Sequence, residues 1–204
     1  MPWIVAGVAA LAALPLGRAL VEVWPIWFAA PTAKAFVVGA AGGAVAGWLV
    51  HRFVPMLAVL EHELTHLLAA VLLLRRPVAI GAGPDGGETV YTGRGSVLIR
   101  LAPYVLPTFT LVGLALAPLV RTRYETGFVV ALGVTWGFHV LTGVVESHPR
   151  QPDLQRGGLL ASYVAVVCLS VVFYPLAAIA SVGGWPLVRR WGRLAWRYLA
   201  ALTT

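Results

Sequence analysis

The chain has 204 residues, of which 59% are hydrophobic and 11% charged. A composition this apolar, with uncharged runs long enough to cross a bilayer, excludes an ordinary water-soluble domain and leaves no stretch for a separate one. Its 15 basic against 8 acidic side chains give a net charge of +7; in a membrane protein this reads as inner-leaflet charge facing anionic lipid, not as a nucleic-acid surface.

Six spans are expected in one domain over 1–204, making the chain an all-α polytopic membrane protein. The first, 3–23, opens with an apolar run at 3–16 that no basic segment precedes, so it reads as a retained helix and not a cleaved signal. The second, 36–50, carries Gly39, Gly42, Gly43 and Gly47, small-residue faces that allow close helix packing. The third, 53–74, follows His51-Arg52 and is stopped by Arg75-Arg76-Pro77. After it, 78–97 turns polar and Gly-rich. Short β-like pieces at 78–80 and 89–91 flank Pro84-Asp85-Gly86-Gly87, the pattern of a hairpin with a Pro-Asp-Gly turn, with an ordinary extramembrane loop as the alternative. The fourth span, 101–120, has Pro103 and Pro107 in its first turns, which with Tyr104 could open a kinked cavity, although proline kinks are common in membrane helices; the fifth is 127–145 and the sixth 159–182. The lone Cys168 lies in the sixth and excludes an intrachain disulfide or a cysteine metal cluster. In the tail, 185–202, Leu187, Trp191, Leu194, Tyr198 and Leu202 share one helical face. Arg189, Arg190, Arg193 and Arg197 form a cationic stripe, as in a helix lying in the membrane interface, with a partner-binding helix as the alternative. That basic tail favours a cytoplasmic C-terminus, and six full spans would put the N-terminus on the same side. Richness in Ala, Gly, Val, Arg and Pro suggests a GC-rich bacterial genome, hence a bacterial cytoplasmic membrane.

The chemistry concentrates in the third span, at Glu61-His62-Glu63-Leu64-Thr65-His66. On a helix, His62 and His66 are four residues apart and share a face, so their imidazoles can converge on one metal ion. Glu63 falls beside that face, where a general base can take a proton from water polarised by the metal. Charged side chains at the centre of a membrane helix cost about 2.5–3.5 kcal/mol each on insertion scales. Two glutamates and two histidines in one apolar span therefore point to a site.

Other polar residues have plainer explanations. Glu61 is expected to accept a hydrogen bond from Thr65 one turn on, with support of the ligands as its alternative. His139, on the fifth span, suits an interhelical hydrogen bond and is also a rival third ligand. Glu146 and His148 sit near a membrane boundary, where polar residues are ordinary, and rank behind Asp153 and His139 as candidate third ligands. Trp136 reads as a packing residue and Thr135 as bonded within its own helix. Simple depth counting favours His139, because the fifth span runs parallel to the third when all six cross fully.

The HExxH in a membrane span, the β-like insert directly after it, and a later Asp in Gln151-Pro152-Asp153-Leu154-Gln155 together resemble the site-2 protease family of intramembrane zinc metalloproteases. The resemblance implies His62 and His66 as zinc ligands, Asp153 as the third ligand and Glu63 as the general base. It implies another membrane protein's transmembrane segment as substrate. The family's Leu-Asp-Gly arrangement is absent around Asp153, and no PDZ-like domain is present. In a six-span chain Asp153 reaches the histidines only if its loop dips inward or a neighbouring span is incomplete. The β-like segment would serve by pairing with an extended stretch of substrate. The expected function is thus zinc-dependent intramembrane endopeptidase. The alternative is a non-proteolytic membrane protein using the same cluster for structural zinc or for metal or proton transport. Transport would need a chain of polar residues through the bilayer, and outside the HExxH helix few exist beyond His139.

Overall fold

The computed structural model describes residues 2–83 and 86–201. The chain forms α1 (Pro2–Ala29), α2 (Ala33–Phe53), α3 (Pro55–Leu72), β1 (Pro77–Gly83), β2 (Gly86–Tyr91), α4 (Val97–Leu101), α5 (Thr108–Leu116), α6 (Glu125–Glu146), α7 (Pro152–Gln155) and α8 (Leu159–Ala201). Five of these helices are long and apolar enough to cross a membrane, or six spans if a bent pair counts as one. On α1 alone, Trp3, Ile4, Val8, Leu11 and Leu14 are each more than 60% exposed. Water would penalise such a face heavily, whereas lipid does not.

The bundle is organised by two pairs of helices. Gly39 and Gly43 of α2 lie against the main chain of Val130 and Val134 of α6, while Gly133 and Gly137 of α6 lie against Phe36 and Ala40. A Cβ at any of these four glycines would overlap backbone, so the small residues on both helices set the contact. Gly42, turned away from α6, meets nothing within 4 Å. The contacts advance together along both chains, so α2 and α6 run parallel. So do α1 and the first half of α8: Gly17 faces Val171, and Trp27 Nε1 donates to the Ala178 carbonyl at 2.8 Å. Trp27 also stacks on Trp24 and meets Phe36 edge-on, joining α1 to α2.

Three sequence expectations change. The fourth span does not cross as one straight helix: Val97–Tyr104 and Thr108–Leu119 meet at 86°, the kink that Pro103 and Pro107 leave open. Pro107 has no N–H to give, and the residue before a proline is disfavoured in the helical region, so the chain breaks between Tyr104 and Thr108. The tail is also different. α8 breaks at Gly184, whose φ of 60° and ψ of −170° suit a glycine, and the following segment folds back onto α1. Leu187, Trp191 and Ala195 are buried, Trp191 Nε1 donates to the Leu16 carbonyl at 2.9 Å, and Tyr198 bonds Glu22 beneath the Arg18 guanidinium. The apolar face expected to rest in lipid is thus covered by α1, with the four arginines exposed on the other side; Leu202 lies outside the described residues. Finally, because α1 and α8 are parallel, the N-terminus and the Gly184 break lie at opposite ends of the bundle. Six full crossings would put them at the same end, so the parity count does not hold as far as that break.

The β insert is present. β1 and β2 pair antiparallel, with Ile80 opposite Thr89 and Ala82 opposite Gly87. The expected turn residues Pro84 and Asp85 lie outside the described residues.

Candidate metal centre

Pro55 starts α3. It holds Val54 at φ −138°, ψ 57°, separating α3 from α2, and occupies the first helical turn where its missing N–H costs nothing. Two turns further on, Glu61, His62, Glu63, Thr65 and His66 are all at most 8% exposed. His62, Glu63 and His66 each offer one donor atom within 4.8 Å of the others.

Each histidine is held by its inner ring nitrogen. His62 Nδ1 lies 2.5 Å from Glu146 Oε2, and His66 Nδ1 lies 2.9 Å from the Ile99 carbonyl. A carbonyl can only accept, so His66 carries its proton on Nδ1, and its Nε2 is left with a lone pair when the ring is neutral. Both Nε2 atoms face Asp153 Oδ2, at 3.6 Å from His62 and 3.0 Å from His66. Lone pairs on two imidazoles and a carboxylate repel unless a cation lies among them. Zinc with bonds of about 2.0–2.1 Å in tetrahedral geometry sets its ligand atoms roughly 3.3 Å apart, and the two observed separations bracket that spacing. The donor set therefore fits a metal ion. Imidazoles whose second nitrogen is held by a carboxylate or a backbone carbonyl are the usual support for metal-ligating histidines.

Asp153 arrives by a route that full-span counting misses. The 147–151 segment after α6 leads into α7, where buried Leu154 anchors the turn and its carbonyl accepts from Ser162 Oγ at 2.9 Å. Tyr163 OH donates to the Ser147 carbonyl at 3.0 Å, and Gln155 Nε2 to that of Pro149 at 2.9 Å. α4 borders the space between this loop and α3 through Ile99 and Arg100. Burial alone would raise the Asp153 carboxyl, but when the two imidazoles carry protons on Nε2 their hydrogen bonds and charge outweigh it and hold the group well below the ordinary carboxylate range.

The space is a cavity of about 820 Å³, lined by His62, Glu63, His66, Glu146 and Asp153, with Arg100 and His148 among the remaining residues. β2 crosses its mouth beside Glu63.

His139, the rival ligand, is elsewhere. Its Nδ1 lies 2.8 Å from Glu61 Oε1, both side chains are under 5% exposed, and neither residue lines the cavity. The expected Thr65–Glu61 bond exists, but Thr65 Oγ1 donates to the Glu61 main-chain carbonyl at 3.0 Å, leaving the carboxylate for His139. Thr135 does bond within its helix, to the Leu132 carbonyl, and also meets Thr110.

Two contributors were not read for the part they play. Glu146 passed as a boundary residue and a lesser third-ligand candidate, whereas it holds His62; it lies seven residues after His139 and so on the same stripe of α6, both facing α3. That spacing was the available signal. Thr89, which touches Glu63, carried no signal at all. Comparison of the chain with known protein families, with characterised proteins and with solved structures returned no match.

Proposed function

We propose that the chain is a zinc-dependent endopeptidase that hydrolyses peptide bonds in or near the transmembrane segments of other membrane proteins, as its resemblance to the site-2 protease family suggests. The observation that carries this reading is the convergence of His62 Nε2, His66 Nε2 and Asp153 Oδ2, with Glu63 beside them, inside an apolar bundle. His62, His66 and Asp153 would hold the metal. Bound there, zinc would supply a Lewis acid able to polarise a carbonyl and to bring the pKa of water down to about 7.

The remaining work belongs to the chain. Glu63 accepts the proton of the attacking water as the new C–O bond forms, then delivers it to the departing amine nitrogen as the C–N bond breaks. A structural metal site does not require that Glu. Glu146 and the Ile99 carbonyl keep the imidazoles in one tautomer and orientation. A helical substrate has its carbonyls engaged in hydrogen bonds and must unwind locally, and the cavity gives an extended segment room to lie against the cluster. The surrounding lipid bilayer is taken to be a bacterial cytoplasmic membrane.

The test is cleavage of a transmembrane reporter by the purified chain in proteoliposomes. A chelator should stop cleavage and added zinc should restore it. Chelator-insensitive cleavage, or none by zinc-loaded protein across a panel of reporters, would sink the proposal.

A further inference from the structure

β2 presents alternate residues to α3. Gly87, Thr89 and Tyr91 share one face of the strand, and each meets the helix or its neighbour. Tyr91 packs with Ala69, Ala70 and Ile99. Thr89 Oγ1 lies 2.7 Å from Glu63 Oε2 and 3.0 Å from the Glu63 main-chain carbonyl. A hydroxyl has one proton, so the shorter, charge-assisted contact to the carboxylate dominates. Gly87 sits so close that a Cβ there would lie 2.5 Å from Glu63 Cγ and 2.8 Å from both Glu63 Oε1 and Val59 Cγ1. The strand can approach only because residue 87 has no side chain. The ladder to β1, with Ile80 opposite Thr89 and Ala82 opposite Gly87, fixes which residues face inward.

We propose that the hairpin is part of the catalytic apparatus: Thr89 is a positioning residue that fixes the orientation of the Glu63 carboxylate, and Gly87 is the gap that lets it do so. This rests on the peptidase reading, and it gives the hairpin a role distinct from gripping substrate. A glutamate has three rotatable side-chain bonds. Without Thr89 its carboxylate would sample several orientations, of which few point at the attacking water. Misplacement by about 1 Å is enough to cost on the order of 100-fold in rate.

Two measurements on the full-length protein separate this proposal from the one beneath it. Difference infrared spectra, wild type minus Glu63→Gln, isolate the Glu63 carboxylate. Thr89→Val should shift that band and Thr89→Ser should return it; an unmoved band overturns the proposal whether or not the chain is a peptidase. On a transmembrane reporter, Thr89→Val should lower kcat by roughly tenfold or more, with KM and zinc occupancy unchanged, and Thr89→Ser should recover most of the rate. Gly87→Ala should mimic Thr89→Val. A raised KM at wild-type kcat would overturn the proposal and make the hairpin a substrate contact. A shifted band in a chain that cleaves nothing would support the Thr89–Glu63 clamp while refuting the peptidase reading.

Discussion

Glu146→Ala should weaken zinc binding without touching a ligand. The Glu146 carboxylate lies 2.5 Å from His62 Nδ1, and both side chains are 9% exposed. A hydrogen bond to a charged group contributes about 1.5–3 kcal/mol. At 1.4 kcal/mol per decade that is roughly a 10–100-fold loss in affinity, the range usual for partners that orient metal-bound histidines. Losing the acceptor also frees the ring to flip and to carry its proton on Nε2, the nitrogen that must donate a lone pair. Glu146→Gln keeps a neutral acceptor in nearly the same place and should fall between the two. The assay is competition for zinc against a chelator of known affinity, with purified wild type, Glu146→Ala, Glu146→Gln and His62→Ala side by side. Wild-type affinity in Glu146→Ala, with His62→Ala strongly impaired, would refute the reasoning that links Glu146 to the metal through His62.

Further outcomes follow from the same geometry. Asp153→Ala should lower zinc occupancy as strongly as His62→Ala, measured by metal analysis of purified protein, while His139→Ala should leave occupancy near wild type; the reverse pattern would move the ligand role to His139. His139→Ala should instead lower thermal stability, because it leaves the buried Glu61 carboxyl without its hydrogen-bond partner, a loss of about 1–3 kcal/mol. Gly43→Val or Gly137→Val should prevent α2 and α6 from closing, seen as loss of the folded, detergent-stable species, whereas Gly42→Val should be tolerated since nothing lies within 4 Å of it. In a Cys168→Ser background, single cysteines at Lys34 and Trp185 should be labelled from the same side of the membrane and one at Arg150 from the other; common sidedness of all three would contradict the parallel course of α1 and α8.

The parts of this fold that were legible in the sequence are those set by local chemistry. The HExxH spacing placed two imidazoles on one helical face, the glycines of α2 announced a close contact, and the β-like pieces around the 84–87 turn announced a hairpin. What was not legible depended on how distant segments meet. Pro103 and Pro107 stood in plain view, but proline is common in membrane helices, and only the packing shows that here it bends the span by 86°. Ile99 and Arg100 of the first limb line the same cavity as Asp153, and the depth argument for His139 rested on a straight span that does not exist. The tail pattern suited both a lipid surface and a protein one. Leu16, Arg18 and Glu22 of α1 decide between them, and nothing in the tail itself points to them.

Glu63→Gln is the most direct measurement of the central claim. The substituted side chain is nearly the same shape but cannot hold an abstracted proton. Reconstituted with a transmembrane reporter, the variant should retain zinc at the wild-type level and show no cleavage above background, while wild type cleaves. Cleavage by Glu63→Gln at the wild-type rate would contradict the account.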